Sequence, residues 1–351
     1  MEVKKKRILW VDIAKALAIL SVPISHTLEL NSTLRAAIFS FHMPIFFILS
    51  GYTTKLATDW PTFWKRLKKN FFCMMIPVFI VLLIFATREA LRFGGIELLS
   101  SKILYLVRQY FILPAPDDGY TLLNLTSNWF IISLFLAKIL MDIVNIVIKS
   151  DKSYLVNLML GAFGVYLGVS KHFFIPYLDL VLVGIMFIQL GILWRKHEAV
   201  IKKYTAPLLL AAFFYWLGQV LRGEYIELYT RYYPKLELTF LESIAAVFLV
   251  CNFAIVLEES AKKAKGLQQK NVNALVFLGR NTLLFYLIHS LDTSVFFFWD
   301  IGSNTFIKIV IRLALNLTLF LIAYYSFKFF KTKILSRFYN LRKNKAKNRL
   351  S

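Results

Sequence analysis

Runs of about twenty apolar residues recur from end to end of this chain, each long enough to cross a hydrocarbon core of roughly 30 Å as a helix. Lipid offers no water to backbone amides, so such runs must satisfy their own hydrogen bonds as helices. Of the 351 residues, 58% are hydrophobic and 16% aromatic, above the roughly half-apolar composition of soluble domains. The fold class is therefore all-α, a polytopic membrane protein. Ten spans are expected, near 8–28, 36–54, 70–87, 128–148, 154–170, 175–194, 205–221, 238–257, 274–296 and 306–328. The first run has no small-residue cleavage site after it and reads as a retained helix, not a signal peptide. Between the third and fourth spans, residues 88–127 hold an amphipathic stretch, Ile96 to Leu113, and a polar loop.

Charge sets the expected orientation. The chain carries 42 Lys and Arg against 20 Asp and Glu, a net +22. Most of the basic residues fall in one set of loops: Lys4 to Arg7, Lys55, Lys65 to Lys69, Arg195 to Lys203, Lys262 to Lys270, and the tail. An excess of Lys and Arg marks the cytoplasmic side, and ten spans with both termini cytoplasmic satisfy it. The charge then serves topology and contact with anionic lipid, and nucleic acid is not expected as a partner. Residues 1–330 form one transmembrane domain, and 331–351 a basic cytoplasmic tail expected to be disordered. Cys73 and Cys251 both fall in spans, which argues against a disulfide framework or a cysteine metal site.

Several spans carry groups that lipid penalises. Asp12, Lys15 and His26 lie on the first. Eleven residues at about 100° each bring Lys15 and His26 to within roughly 20° of one face, some 16 Å apart along the axis. This polar stripe either lines the bundle interior or a wet cavity, or it is an interfacial ion pair with Lys15 snorkelling outward. In "FHMPIFFILSGY", His42 and Pro44 open the second span, and Gly51 permits close approach of a helix or a ligand. His26 and His42 fall towards the same leaflet on consecutive antiparallel helices, a pairing suited to acid–base work. Asp179, Arg280, Asn281 and His289 are further intramembrane polar groups, either interhelical glue or site residues.

Together these segments resemble the integral-membrane acyltransferase family, type 3, in particular its fucose-4-O-acetylase-like branch. "WVDIAKALAILSVPISH" fits that family's motif of a basic residue, ten others and a histidine at Lys15 and His26. "FHMPIFFILSGY" matches a second motif, and "NWFIISLFLAK", "IPYLDLVLVGIMFIQLGIL" and "FLGRNTLLFYLIH" follow in family order. "FWKRLKKNFFCMMIP" matches the family's basic motif only approximately.

The resemblance implies transfer of an acyl group, usually acetyl from cytoplasmic acetyl-CoA, to a hydroxyl of a cell-envelope glycan or its lipid-linked precursor. The plasma membrane, in bacteria, is the expected location. His26 would be the catalytic histidine, as general base or as acyl carrier, with Lys15 its basic partner and His42 in the second motif. Asp12, Lys15, Arg66, Lys69 and Arg280 are candidates for holding the acyl-CoA, with Asp12 fixing Lys15. The cluster Lys65 to Lys69 either attracts nucleotide phosphates or anchors the chain at the surface. Asp179 and His289 are candidates for the acceptor. No metal is expected. The rival reading is a transporter or flippase that uses buried His and Asp, but no inverted repeat or paired broken helices of the transporter kind are visible.

Overall fold

The computed structural model describes residues 7–93, 100, 101, 103, 104, 129–149, 152–170, 177–263, 266–292 and 304–347. These form helices, with one isolated antiparallel bridge between Glu227 and Tyr232. In chain order we number them α1 (Leu9–Ser25), α2 (Thr33–Phe39), α3 (Pro44–Thr53), α4 (Trp60–Asn70) and α5 (Ile76–Phe93). There follow α6 (Trp129–Val147), α7 (Ser153–Val169), α8 (Leu178–Lys196), α9 (Glu198–Lys203), α10 (Thr205–Leu221) and α11 (Glu237–Lys263). The last three are α12 (Leu267–Arg280), α13 (Thr282–Asp292) and α14 (Thr305–Lys347). The amphipathic stretch Ile96–Leu113 falls almost wholly outside the described residues.

Helix α1 is the axis of the bundle. Ile13, Ala14, Ala16 and Ala18 are fully buried on it, and α2, α3, α11, α12, α13 and α14 pack around it. The outer helices show the opposite pattern. Ile80 on α5, Met159 on α7, Phe214 on α10 and Phe306 on α14 are exposed large apolar side chains. Water would penalise such a surface, whereas lipid accepts it. Among the described residues, six helical stretches are long and apolar enough to cross a membrane, with α2–α3 and α4–α5 each counted as one, and the α12–α13 pair makes a seventh if counted as one span. This is an all-α polytopic membrane protein.

Each of the ten expected spans contains helix, but two are interrupted. The 36–54 segment divides into α2 and α3, with His42 in the connecting turn. Pro44 opens α3 at its first turn, where a missing N–H costs little. The 274–296 segment is not one straight helix: α12 and α13 meet at 76°. Asn281 stands at that break and its side-chain amide donates to the Phe277 carbonyl at 2.8 Å, covering an otherwise open helix end. Among the described residues this bond closes a helix terminus and is not one between two helices. The tail differs as well, because α14 stays helical to Lys347 where composition predicts disorder.

Helix α4 is amphipathic and presents Lys65, Lys68 and Lys69 outward while Phe63 alone is buried. Asp59 caps it, accepting from the Thr62 backbone N–H at 2.8 Å. That bond holds the Asp59 carboxyl below its ordinary value. A π turn at Phe71–Met75 carries α4 into α5.

Helices α3 and α8 approach so closely that only glycine fits at the contact. A Cβ on Gly51 would lie 1.9 Å from the Ile188 carbonyl oxygen, and one on Gly191 would lie 1.9 Å from that of Ile48. The partner Gly51 admits is thus a helix. Gly51→Ala must push the helices apart, with an expected loss of about 1–3 kcal/mol in stability. Thermal unfolding in detergent reads this, with Gly218→Ala, which meets open space, as the neutral control. Equal melting of the two variants would refute the contact.

Candidate active site

Three of the chain's five histidines meet at one end of α1. His26 caps α1, its backbone N–H bonded to the Val22 carbonyl at 3.2 Å. His42 enters from the α2–α3 turn, with ring centroids 6.4 Å apart. His289 comes from α13 and stacks on His26, 5.6 Å between centroids and 19° between planes. The 76° break before α13 is what delivers His289 to this place. The three rings line an outer chamber of about 100 Å³, together with Phe39, Trp129, Glu227 and Tyr286.

The rings differ in their surroundings. His42 and His289 are 3% and 4% exposed, whereas His26 is an exposed residue. Nδ1 of His42 faces the Ile38 carbonyl oxygen at 3.1 Å. Nδ1 of His289 faces Oδ2 of Asp292 at 3.0 Å. Carbonyl and carboxylate oxygens only accept, so Nδ1 carries a proton in both rings, and in the neutral ring Nε2 has the lone pair. Among the described residues the His26 ring has ring contacts and no hydrogen-bond partner.

Behind His289 lies an ion network. Asp292 is fully buried and accepts from Arg312 Nε at 2.8 Å, Arg312 Nη2 at 2.9 Å and Asn316 Nδ2 at 2.7 Å. Arg312, 1% exposed, also donates to Thr27 Oγ1 at 3.0 Å, one residue beyond His26. On the far side of the chamber, in the α10–α11 loop, Glu227 is 3.9 Å from Arg35. Burial pushes the Glu227 carboxyl above its ordinary value, against the pull of Arg35.

Lys15 lines a second, inner chamber of about 210 Å³, with Lys138 from α6 and Ser50 from α3. The Ser50 hydroxyl has no partner among the described residues. Tyr286 borders both chambers, so they adjoin at its ring. Its neighbour Phe130, 5.6 Å away between centroids, and Phe46, which packs on Phe130, line the inner side. Lys15 and Thr53 also border a wider mouth of about 800 Å³, where Arg7, Lys55 and Arg195 stand. Mouth, inner chamber and outer chamber thus form a series, each sharing a wall residue with the next.

The other expected site residues are engaged elsewhere. Asp12 lies at the mouth, but its ion pairs run to Arg7 at 2.8 Å and Arg280 at 3.4 Å, and not to Lys15. Its carboxylate clamps Arg7 to α12 and lines the mouth beside Lys15. Arg66 pairs with the buried Asp142 at 2.7 Å and also binds the Lys55 carbonyl, tying α4 to α6. Lys69 is exposed on α4, outside these chambers. Asp179 is held by Arg231 through two bonds, at 2.7 and 3.2 Å, and anchors the α10–α11 loop.

Residues not singled out from sequence complete the arrangement: Asp292, Arg312 and Asn316 behind His289, Glu227 across the chamber from it, and Lys138 in the inner chamber with Lys15. Two of them left a signal. His289 and Asp292 are three residues apart, hence on one helix face, and Arg312 is a charge inside an apolar span.

A bundle with an apolar exterior and a buried series of basic and imidazole-lined chambers defines a multi-pass membrane protein with an internal site. The acyltransferase domain family, type 3, matches residues 8–330, nearly the whole chain, and the protein belongs to that family. No curated protein and no solved structure matches it.

Proposed function

We propose that this membrane acyltransferase moves an acyl group, acetyl foremost, from acyl-CoA to a hydroxyl of a cell-envelope glycan or its lipid-linked precursor. The bacterial plasma membrane would hold it, with the mouth facing the cytoplasm. The observation that carries the reading is that Lys15 and His26, on one helix, line adjoining chambers separated by the Tyr286 ring. Arg7, Lys55 and Arg195 at the mouth suit the nucleotide phosphates, which Arg meets with a bidentate fork. Lys15 and Lys138 would hold polar groups of the pantetheine arm, and the thioester would then reach His26. Across the outer chamber His42, Glu227 and His289 offer hydrogen-bonding groups to a sugar hydroxyl. Arg66, Asp179 and Arg280 serve the fold in this reading, and the α4 lysines anchor the helix at the surface.

The test supplies purified protein in liposomes with radiolabelled acetyl-CoA and a membrane glycan fraction. Label passing to the glycan in wild type but not in His26→Ala supports the reading. Solute flux with no release of CoA would sink it in favour of a transporter. Charge-assisted hydrogen bonds are worth about 1.5–3 kcal/mol, so Lys15→Ala and Lys138→Ala should each raise KM for acetyl-CoA about tenfold or more. A fall in kcat at unchanged KM would place the lysines outside the donor path.

A further inference from the structure

The two stacked histidines have unequal support, and the difference assigns them different tasks. A general base works best when a third group fixes its tautomer and stabilises the imidazolium it becomes. His289 has that group. Its Nδ1 is bonded to Asp292, and that carboxylate is itself held by both Arg312 nitrogens and by Asn316. Nε2, on the other side of the ring, is left for the chamber that His289 lines. His26 has no such partner among the described residues, but it is an exposed residue that lines the same chamber, where a nucleophile must stand to meet the thioester. His42 has a fixed tautomer too, yet its partner is a neutral carbonyl, which offers an imidazolium no counter-charge.

We propose that His26 carries the acyl group and that His289, with Asp292 as its positioning residue, is the base that deprotonates the acceptor hydroxyl. The proposal rests on the acyltransferase reading and divides its chemistry between two rings. A ring nitrogen of His26 attacks the thioester carbonyl. The C–N bond forms, the C–S bond breaks, and CoA leaves as the thiolate. The acceptor hydroxyl then attacks the acyl carbon. A C–O bond forms, the C–N bond breaks, and the hydroxyl proton goes to Nε2 of His289. That proton passes on to the CoA thiolate, so the products are the ester and CoA thiol, and both rings end neutral. The 5.6 Å stack places a group borne by one ring beside the other.

The two steps separate in a rapid-quench experiment with acetyl-CoA alone, where water takes the place of the sugar hydroxyl. Wild type should release a burst of about one CoA per chain and then turn over slowly. His289→Gln should keep the burst and lose the slow phase by about a hundredfold or more, the usual share of a general base. His26→Gln should show no burst. Asp292→Asn should behave as His289→Gln does, but it leaves Arg312 buried without its counter-charge, so His289→Gln, which keeps that ion pair, is the decisive variant. Loss of the burst in His289→Gln would overturn the assignment. Wild type that acetylates glycan without a burst would also overturn it while leaving the acyltransferase reading standing.

Discussion

Alanine at position 26 should lower acyl transfer by about a thousandfold or more while leaving the fold intact. The magnitude follows from losing a group that bonds to, or takes a proton from, the reacting atoms, an effect of about 10²–10⁴ for proton transfer alone. The fold should survive for a separate reason. His26 stands at the end of α1, it is an exposed residue, and its tie to the helix is a backbone bond to Val22 that alanine also makes. Melting temperature in detergent and retention on a sizing column should therefore match wild type. Activity within tenfold of wild type would remove His26 from the chemistry. Loss of activity together with loss of the folded protein would mean that the ring holds the chamber and does not react in it.

The second large effect should come from Arg312→Ala. This side chain is 1% exposed and clasps Asp292, fully buried, with two bonds while also reaching Thr27. Removing one partner of a buried ion pair strands the other and costs about 3–5 kcal/mol. Thermal unfolding in detergent should show it as a clear drop in stability. Lysine should not restore it, since a single ammonium cannot reproduce the planar fork. Replacing both partners, Asp292→Leu with Arg312→Met, takes away the stranded charge and should recover much of the stability. Turnover should stay low even so, because His289 has lost the carboxylate that orients it. A double variant with wild-type turnover would reduce the network to a structural tie.

The site was legible where its residues share one helix, and much less so where they do not. Lys15 and His26 are eleven apart on α1, and helical periodicity alone puts them on one face; both do line the chamber series. The His26–His42 approach was readable from an antiparallel pair of apolar runs. His289 was visible as a costly intramembrane group, but nothing local said that it would stack on His26. That depends on the 76° turn at Asn281; Gly279, Arg280 and Asn281 interrupt the apolar run there, but they do not give the direction of a bend. Asp12, Asp179 and Arg280 stood out as charges that lipid penalises and Arg66 through its basic cluster, and the structure adds an ion-pair partner to each. Arg7 is five residues from Asp12, but the Arg66–Asp142, Arg231–Asp179 and Arg280–Asp12 pairs join distant segments that no spacing rule connects.

The sequence by itself determined that this chain is a bundle of membrane helices, because apolar runs of this length leave the backbone no other way to satisfy its hydrogen bonds. It also determined which helix carries the Lys15–His26 column, since that is a property of one helix face. Only the tertiary structure decided which charges are ties between helices and which line the chambers. Pairing across the bundle depends on how helices are bent and docked, and those are set by close contacts such as Gly51 against Ile188.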